Sequence, residues 1–261
     1  MSRTYAITGA GSGIGAATAQ LLRERGEIVI GVDLKGAEID ADLSTPEGRS
    51  SGVERAIDLA EGRIDAVIAC AGISMPKPLT VKVNYFGVTE FLDQLAPTLA
   101  NSDSPRAVVV SSMASLQPNS PELVDALLAG DEDRAVEIGT ALAEAGPEQG
   151  YLNYPSSKRA LSRWVRRACI TERYAGAGIP LNAIAPGTVI SPMTTELLST
   201  PEGRAMVDQH VPMPLNYHSE SIVLARLLAW LTSVENTHVT GQTIYADGGA
   251  DASLRGDDIW S

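Results

Sequence analysis

Residues 154–158 read Tyr-Pro-Ser-Ser-Lys and set a phenol and an ammonium group four residues apart. A helix tolerates proline only in its first turn, where the missing N–H has no partner to lose. Pro155 therefore places Tyr154 at a helix mouth and Lys158 one turn further along the same face. Leu161, Trp164, Val165, Ala168 and Cys169 continue at helical spacing, which predicts a helix that closes at Gly176. A phenol in water titrates near pH ~10, too high for a base at neutrality. Lowering it by roughly three units takes about 4 kcal/mol of differential stabilisation, and nearby positive charge is the means.

A second chemical stretch lies at the N-terminus. Thr8 to Gly15 read TGAGSGIG, after a short apolar strand and at the opening of a helix. Glycines there let backbone N–H groups approach a pyrophosphate, and the helix N-terminus favours its charge. Two registers fit: Gly11, Gly13 and Ala16 match the general dinucleotide spacing, and Gly9, Gly13 and Gly15 a wider one. Gly9, Ser12, Gly13, Ile14 and Gly15 are the expected cofactor contacts in this turn. Asp33 ends the second strand 18 residues beyond Gly15, where an acid binds both adenosine ribose hydroxyls. Leu34 follows it, with no arginine to accept a 2′-phosphate, so NAD is expected over NADP. Asp42 and Leu43 are expected to flank the adenine. A lone Tyr-x-x-x-Lys arises in many chains. Behind such a cradle it reads as a proton-transfer pair, its phenolate favoured by Lys158 and by an oxidised nicotinamide. No metal is expected.

These residues need elements to hold them. Strands are expected at Tyr5–Thr8, Ile28–Asp33, in IDAVIACAG, AVVVSS and IPLNAIAPG, and in the late TIYADGG. Helices are expected at about 13–25, 53–60 and 83–99, after Tyr154, and near Ser219–Leu231. The alternation predicts an α/β fold with a single doubly wound parallel sheet of Rossmann type, residues 1–261 forming one domain. One segment departs from the alternation. Between about 117 and 150, PELVDALLAG and DEDRAVEIGTALAEAG predict a helical hairpin, with Asp131 capping its second helix.

Bulk composition narrows the partners. The chain has 261 residues, a net charge of −12 and 44% hydrophobic residues. That acidity argues against nucleic acid or an anionic membrane as the main partner. Two separated cysteines, Cys70 and Cys169, give no disulfide framework, and no signal peptide or membrane-length apolar run is visible, so a cytoplasmic location is expected.

TGAGSGIG, the CAG at 70–72, VNYFG at 83–87, SSMAS at 111–115, YPSSK and the APG at 185–187 stand in the order of the short-chain dehydrogenase/reductase family. The resemblance covers essentially the whole chain. It implies a catalytic tetrad of Asn84, Ser112, Tyr154 and Lys158. Tyr154 would exchange the proton with the alcohol or carbonyl, and Ser112 would bind the same oxygen. Lys158 would hold the nicotinamide ribose, and Asn84 would support a relay water. It also implies cofactor contacts from Cys70, Ala71, Gly72, Pro186, Gly187, Val189 and Ser191. Two positions depart from the usual pattern: Cys70 replaces an asparagine, and Ser191 stands where threonine is common. The short region after Asp33, the DLSTPEGR at 42–49 and the insertion look most like the bacterial 3α-hydroxysteroid dehydrogenase/carbonyl reductase branch, and coniferyl-alcohol dehydrogenases look similar too. The implied reaction is hydride transfer between NAD and a small apolar secondary alcohol or ketone. The alternatives are oxidation of a primary aromatic alcohol, an NAD-dependent sugar epimerase and a non-catalytic NAD-binding regulator. Met193, Leu197, Leu198, Met206 and Met213 would form an apolar lid or simply pack in the core. A homo-oligomer is expected. The insertion would either block the common tetramer packing, leaving a dimer built through Ser219–Leu231 and the last strand, or simply lid the active site, since it starts just after Ser112.

Overall fold

The computed structural model describes residues 2–215 and 218–259. In chain order its elements are β1 (Thr4–Thr8), α1 (Gly13–Glu24), β2 (Ile28–Asp33), β3 (Ile39–Asp40), α2 (Pro46–Leu59) and β4 (Ala66–Ala69). There follow α3 (Leu79–Val81), α4 (Gly87–Leu99), β5 (Arg106–Val110), α5 (Pro121–Ala129), α6 (Glu132–Glu144), α7 (Pro147–Tyr151) and α8 (Asn153–Ala168). The chain continues through β6 (Leu181–Pro186), β7 (Val189–Ile190), α9 (Pro201–His210), β8 (Ser219–Glu220), α10 (Ser221–Leu231), β9 (Thr243–Ala246) and α11 (Ala250–Arg255). Seven strands form a sheet in the order β3-β2-β1-β4-β5-β6-β9, and all its pairings are parallel. The chain winds outward from β1 to β3, then crosses back to lay β4 against the other side of β1. The order reverses there, and in such sheets ligands bind outside the strand ends at the reversal.

Alternation along the strands divides the core between two faces. Tyr5 and Ile7 of β1 pack with Leu22 and Leu228, on the side of α1 and α10. Ala6 faces the opposite layer, with Phe91, Leu95, Leu161 and Val165 from α4 and α8. Burying each such large side chain stabilises the fold by about 1.5–3 kcal/mol. Both layers converge on the strand ends that carry the glycine turn and Cys70.

The inserted hairpin is present. Ser120 caps α5 by accepting the Leu123 N–H, Gly130 ends it in the left-handed region, and Asp131 caps α6 by accepting the Arg134 N–H. A third short helix, α7, opens on Pro147 and leads into α8. The apolar stripe Leu123, Val124 and Leu127 is buried against the molecule's own body. Ser156 accepts the Ser120 N–H at 3.0 Å, and Asn153 Nδ2 donates to the carbonyls of Gly139 and Gly150. The residues on either side of Tyr154 thus pin the insertion at its start and at its return.

Several bounds differ from expectation, each for a local reason. Helix α2 starts at Pro46, not Val53, because the Thr45 hydroxyl accepts the Gly48 N–H and Pro46 fills the first turn. Helix α8 stops at Ala168, well before Gly176: Thr171 turns extended and its hydroxyl donates to the Ala168 carbonyl at 2.7 Å, after which Glu172–Gly176 form a separate π turn. A π turn at Lys82–Phe86 joins α3 to α4 and carries Asn84, so that helical stretch begins at Leu79. The short pair β7–β8 and the helices α9 and α11 had no clear periodic signal.

Candidate active site

The glycine turn leaves β1 at the sheet's reversal point. Gly9 has φ +70°, and a Cβ there would come within 2.7 Å of the Ala71 N. Gly15 packs closer still, its imagined Cβ 2.1 Å from the Gly9 carbonyl oxygen. Gly13, also at positive φ, faces open space whose nearest wall is Ser191 Cβ at 3.7 Å. Both sequence registers therefore hold real constraints: Gly9 and Gly15 close the turn, and Gly13 keeps its mouth open. Ser12 begins α1 with its side chain leaving the first helical N–H groups uncapped. Uncapped donors at a positive helix end, beside a space no side chain fills, suit the pyrophosphate of a dinucleotide.

Asp33 stands beside that mouth. Its carboxylate accepts the N–H of Gly11 at 2.9 Å and of Leu34 at 2.6 Å, one on each oxygen. Each oxygen keeps lone pairs for a ligand hydroxyl. Asp42 lies exposed, held by the Ser44 N–H, and its carboxyl sits below the usual range because of the Ser44 bonds. Leu43 is buried in the core, so only its backbone is available to a neighbouring ligand. On the other side, Ala71 N–H donates to Thr8 Oγ1 at 3.2 Å, locking the CAG turn to β1. Gly187 crosses Asp247 closely, Val189 is buried, and the Ser191 N–H donates to Thr194 Oγ1. That loop brings Ser191 over Gly13.

The reactive side chains meet around Gly72. A Cβ on Gly72 would lie 3.3 Å from both Asn84 Oδ1 and Lys158 Nζ. Asn84 is buried; its Oδ1 accepts the Ile73 N–H at 2.8 Å, and its Nδ2 donates to the Ile73 carbonyl at 2.9 Å and to Ser157 Oγ at 3.3 Å. Lys158 Nζ donates to the Val110 carbonyl at 2.8 Å and lies 5.9 Å from the centre of the Tyr154 ring. Ser112 lies two residues beyond β5, beside Tyr154, its hydroxyl accepting the Ala114 N–H. All four residues of the expected tetrad thus stand at one strand-end cleft. Ser157, which sits inside the YPSSK motif and ties Asn84 to α8, had no role assigned from sequence. Nor had the Val110 carbonyl, since no pattern marks a backbone acceptor.

Burial dominates the electrostatics of the pair. Tyr154 is raised above its ordinary value, because burial outweighs the pull of the Ser112 hydroxyl. Burial also pushes the Lys158 ammonium down to about 8, with Cys70 acting weakly the other way. With a pKa of about 8 the ammonium stays mostly protonated at neutral pH, so Lys158 remains a positive charge beside the phenol. The Cys70 thiol is pushed up to about 12, chiefly by desolvation, and stays neutral.

Comparison with known proteins agrees with this arrangement. The family described as enoyl-(acyl carrier protein) reductase matches residues 9–251. A 3-alpha-hydroxysteroid dehydrogenase/carbonyl reductase of Comamonas testosteroni is 37% identical over 254 residues, 95% of this chain and 96% of that protein. The crystal structure of the 3-alpha-hydroxysteroid dehydrogenase from Pseudomonas sp. B-0831 complexed with NADH superposes with a TM-score of 0.88 at 39% identity, covering 98% of this chain and all of that one. The chain belongs to the short-chain dehydrogenase/reductase family. It is an oxidoreductase acting on CH–OH groups. A coniferyl-alcohol dehydrogenase of Pseudomonas sp. (strain HR199 / DSM 7063) is also similar, at 28% identity over 95% of this chain and 96% of that protein. Among the described residues of this dehydrogenase/reductase, no cluster of metal-ligating side chains occurs and no helix is long and apolar enough to cross a membrane.

Proposed function

We propose that this dehydrogenase/reductase uses NAD to interconvert an apolar secondary alcohol and its ketone, a 3α-hydroxysteroid or a comparable foreign carbonyl compound. The observation that carries the reading is the convergence of Tyr154, Ser112, Lys158 and Asn84 beside the cradle at the sheet's reversal point. When bound, the nicotinamide accepts or donates the hydride. Tyr154 takes the hydroxyl proton during oxidation and returns it during reduction. Ser112 holds the same oxygen. Lys158 binds the nicotinamide ribose, and Asn84 fixes the Ile73 loop and the inner end of a proton path. Burial raises the phenol, and Lys158 together with the oxidised nicotinamide would supply the positive charge that favours the phenolate against it.

The NAD preference rests on Asp33, followed by Leu34 where no arginine stands ready for a 2′-phosphate, and on the NADH-bound relative. The steroid class rests on the two hydroxysteroid relatives. A primary aromatic alcohol is the second reading, drawn from the coniferyl-alcohol relative. A panel of steroid, aliphatic and aromatic alcohols, each offered with NAD and with NADP and followed at 340 nm, separates these readings. Turnover of a 3α-hydroxysteroid with NAD is expected. Turnover of cinnamyl-type alcohols alone would displace the first reading with the second. The assembly proposed is a cytoplasmic homodimer of single-domain subunits.

A further inference from the structure

Tyr151 is unusual among the large side chains near the cleft. It sits three residues before Tyr154, at the end of α7, and 43% of it is exposed. Its ring lies 6.2 Å from the Tyr154 ring, tilted by 35°. Its hydroxyl donates to Gln117 Oε1 at 3.2 Å. Gln117 follows Ser112 by five residues and opens the insertion, while Tyr151 closes it. This one bond therefore joins the two ends of the insertion at the mouth of the cleft. The backbone beneath is fixed as well. Gly150 packs so tightly on Pro76 that a Cβ would come within 2.8 Å of the Pro76 carbonyl oxygen. Pro76 belongs to the loop that Asn84 holds through Ile73.

An exposed aromatic ring with a fixed position differs from a solvated tyrosine. The hydroxyl is already partnered, so the ring does not need water to satisfy it. A substrate whose oxygen reaches Tyr154 and Ser112 must extend its carbon skeleton away from them, and the Tyr151 ring stands 6.2 Å from the Tyr154 ring, beside that position. We propose that Tyr151, anchored by Gln117, is a specificity-determining wall of the substrate site that selects alcohols and ketones bearing a rigid ring system over short acyclic ones. The proposal rests on the alcohol/ketone chemistry assigned above. The wall acts by burying ring surface against an aromatic face that is already held in place, so its effect falls on binding rather than on proton transfer.

The test compares trans-2-decalol with 2-butanol as substrates for wild type, Y151F, Y151A, Y151L and Q117A. In Y151A the decalol-to-butanol ratio of kcat/KM should fall about tenfold, carried mainly by KM. Y151F should keep most of the ratio, since the ring remains, and Q117A should lie between. Y151L reads the same question should Y151A fail to fold. A ratio in Y151A or Y151L within twofold of wild type overturns the proposal, as does a loss carried by kcat alone. If wild type turns over neither of these two small alcohols, the steroid, aliphatic and aromatic panel above still tests the functional reading separately. Calorimetric binding of trans-2-decalone to wild type and Y151A, each with saturating NADH, then decides: weaker binding to Y151A supports the wall, and equal binding overturns it.

Discussion

Lys158 changes its proton affinity between the unfolded chain and the fold. Burial pushes it down to about 8 from an ordinary value of 10.5. Between those values the unfolded chain holds a proton that the fold does not, so stability rises with pH across that window and is lost again as pH falls through about 8. The gap in unfolding free energy between wild type and Lys158→Met should therefore move toward wild type from pH 8 to 10.5, by a total on the order of 3 kcal/mol. Denaturant melts of the two proteins across that range measure it, and a flat difference would show that Lys158 is not desolvated. Tyr154→Phe should abolish turnover and leave NADH binding, read by fluorescence, nearly intact, because the cradle and Lys158 do not depend on the phenol; near-normal turnover would sink the mechanism. Asp33→Ala should shift preference toward NADP, since the carboxylate beside the cradle repels a 2′-phosphate. Equal wild-type efficiency with both cofactors would remove Asp33 from the ribose. Reactive side chains at fixed spacing are legible in sequence because chemistry restricts their type. Tyr154's raised pKa was not, because desolvation depends on which distant segments cover it.

At the scale of elements, the insertion is held by a buried cation. Arg49 of α2 is fully buried, with ion pairs to Glu90 of α4 at 2.7 Å and Glu132 of α6 at 2.8 Å. It also donates to the Thr45 carbonyl and lies 5.9 Å from the Phe86 ring centre. Glu132→Gln would leave that guanidinium with one carboxylate. Because Glu132 is itself partly exposed, the expected cost is about 1–3 kcal/mol rather than the full penalty of a buried orphan charge. Denaturant unfolding measures it, and no change beyond experimental error would mean the pair is solvent-screened. The hairpin helices were readable because Asp131 and Gly130 mark their ends and the Leu123–Leu127 stripe has helical period. Helix α2 was read seven residues short, since its first half, Pro46–Gly52, is polar and glycine-bearing and only its cap gives it away. The π turn bearing Asn84 had no local signal; it follows from the Asn84–Ile73 bonds, which join residues 11 apart. The apolar lid residues Met193, Leu197 and Met206 are exposed, which removes the core-packing alternative for them.

At the scale of the molecule, the surfaces that remain open define the proposed assembly. The insertion lays α5 along α8, burying Leu123 and Leu127, and α6 reaches across to Arg49 beside α4. The helices carrying Tyr154 and leading on from Asn84 are thus partly covered by the chain itself, which disfavours packing two subunits through them. The opposite end of the sheet differs. Strand β9 ends the sheet order, paired on one side with β6. Helix α10 beside it presents Val223 and Trp230, with Val234 just beyond, all about half exposed. A spacing of seven puts Val223 and Trp230 on one helical face. An open strand edge next to an apolar stripe is a surface that folded proteins cover. A stable twofold contact buries about 1,200–2,000 Å² in total, and a helix-plus-strand face is of that order. Light scattering should give the mass of a dimer for wild type and of a monomer for Trp230→Glu, with the circular dichroism of the variant retained. A wild-type tetramer contacting through α4 and α8 would refute the obstruction by the insertion. A Trp230→Glu dimer would place the contact elsewhere.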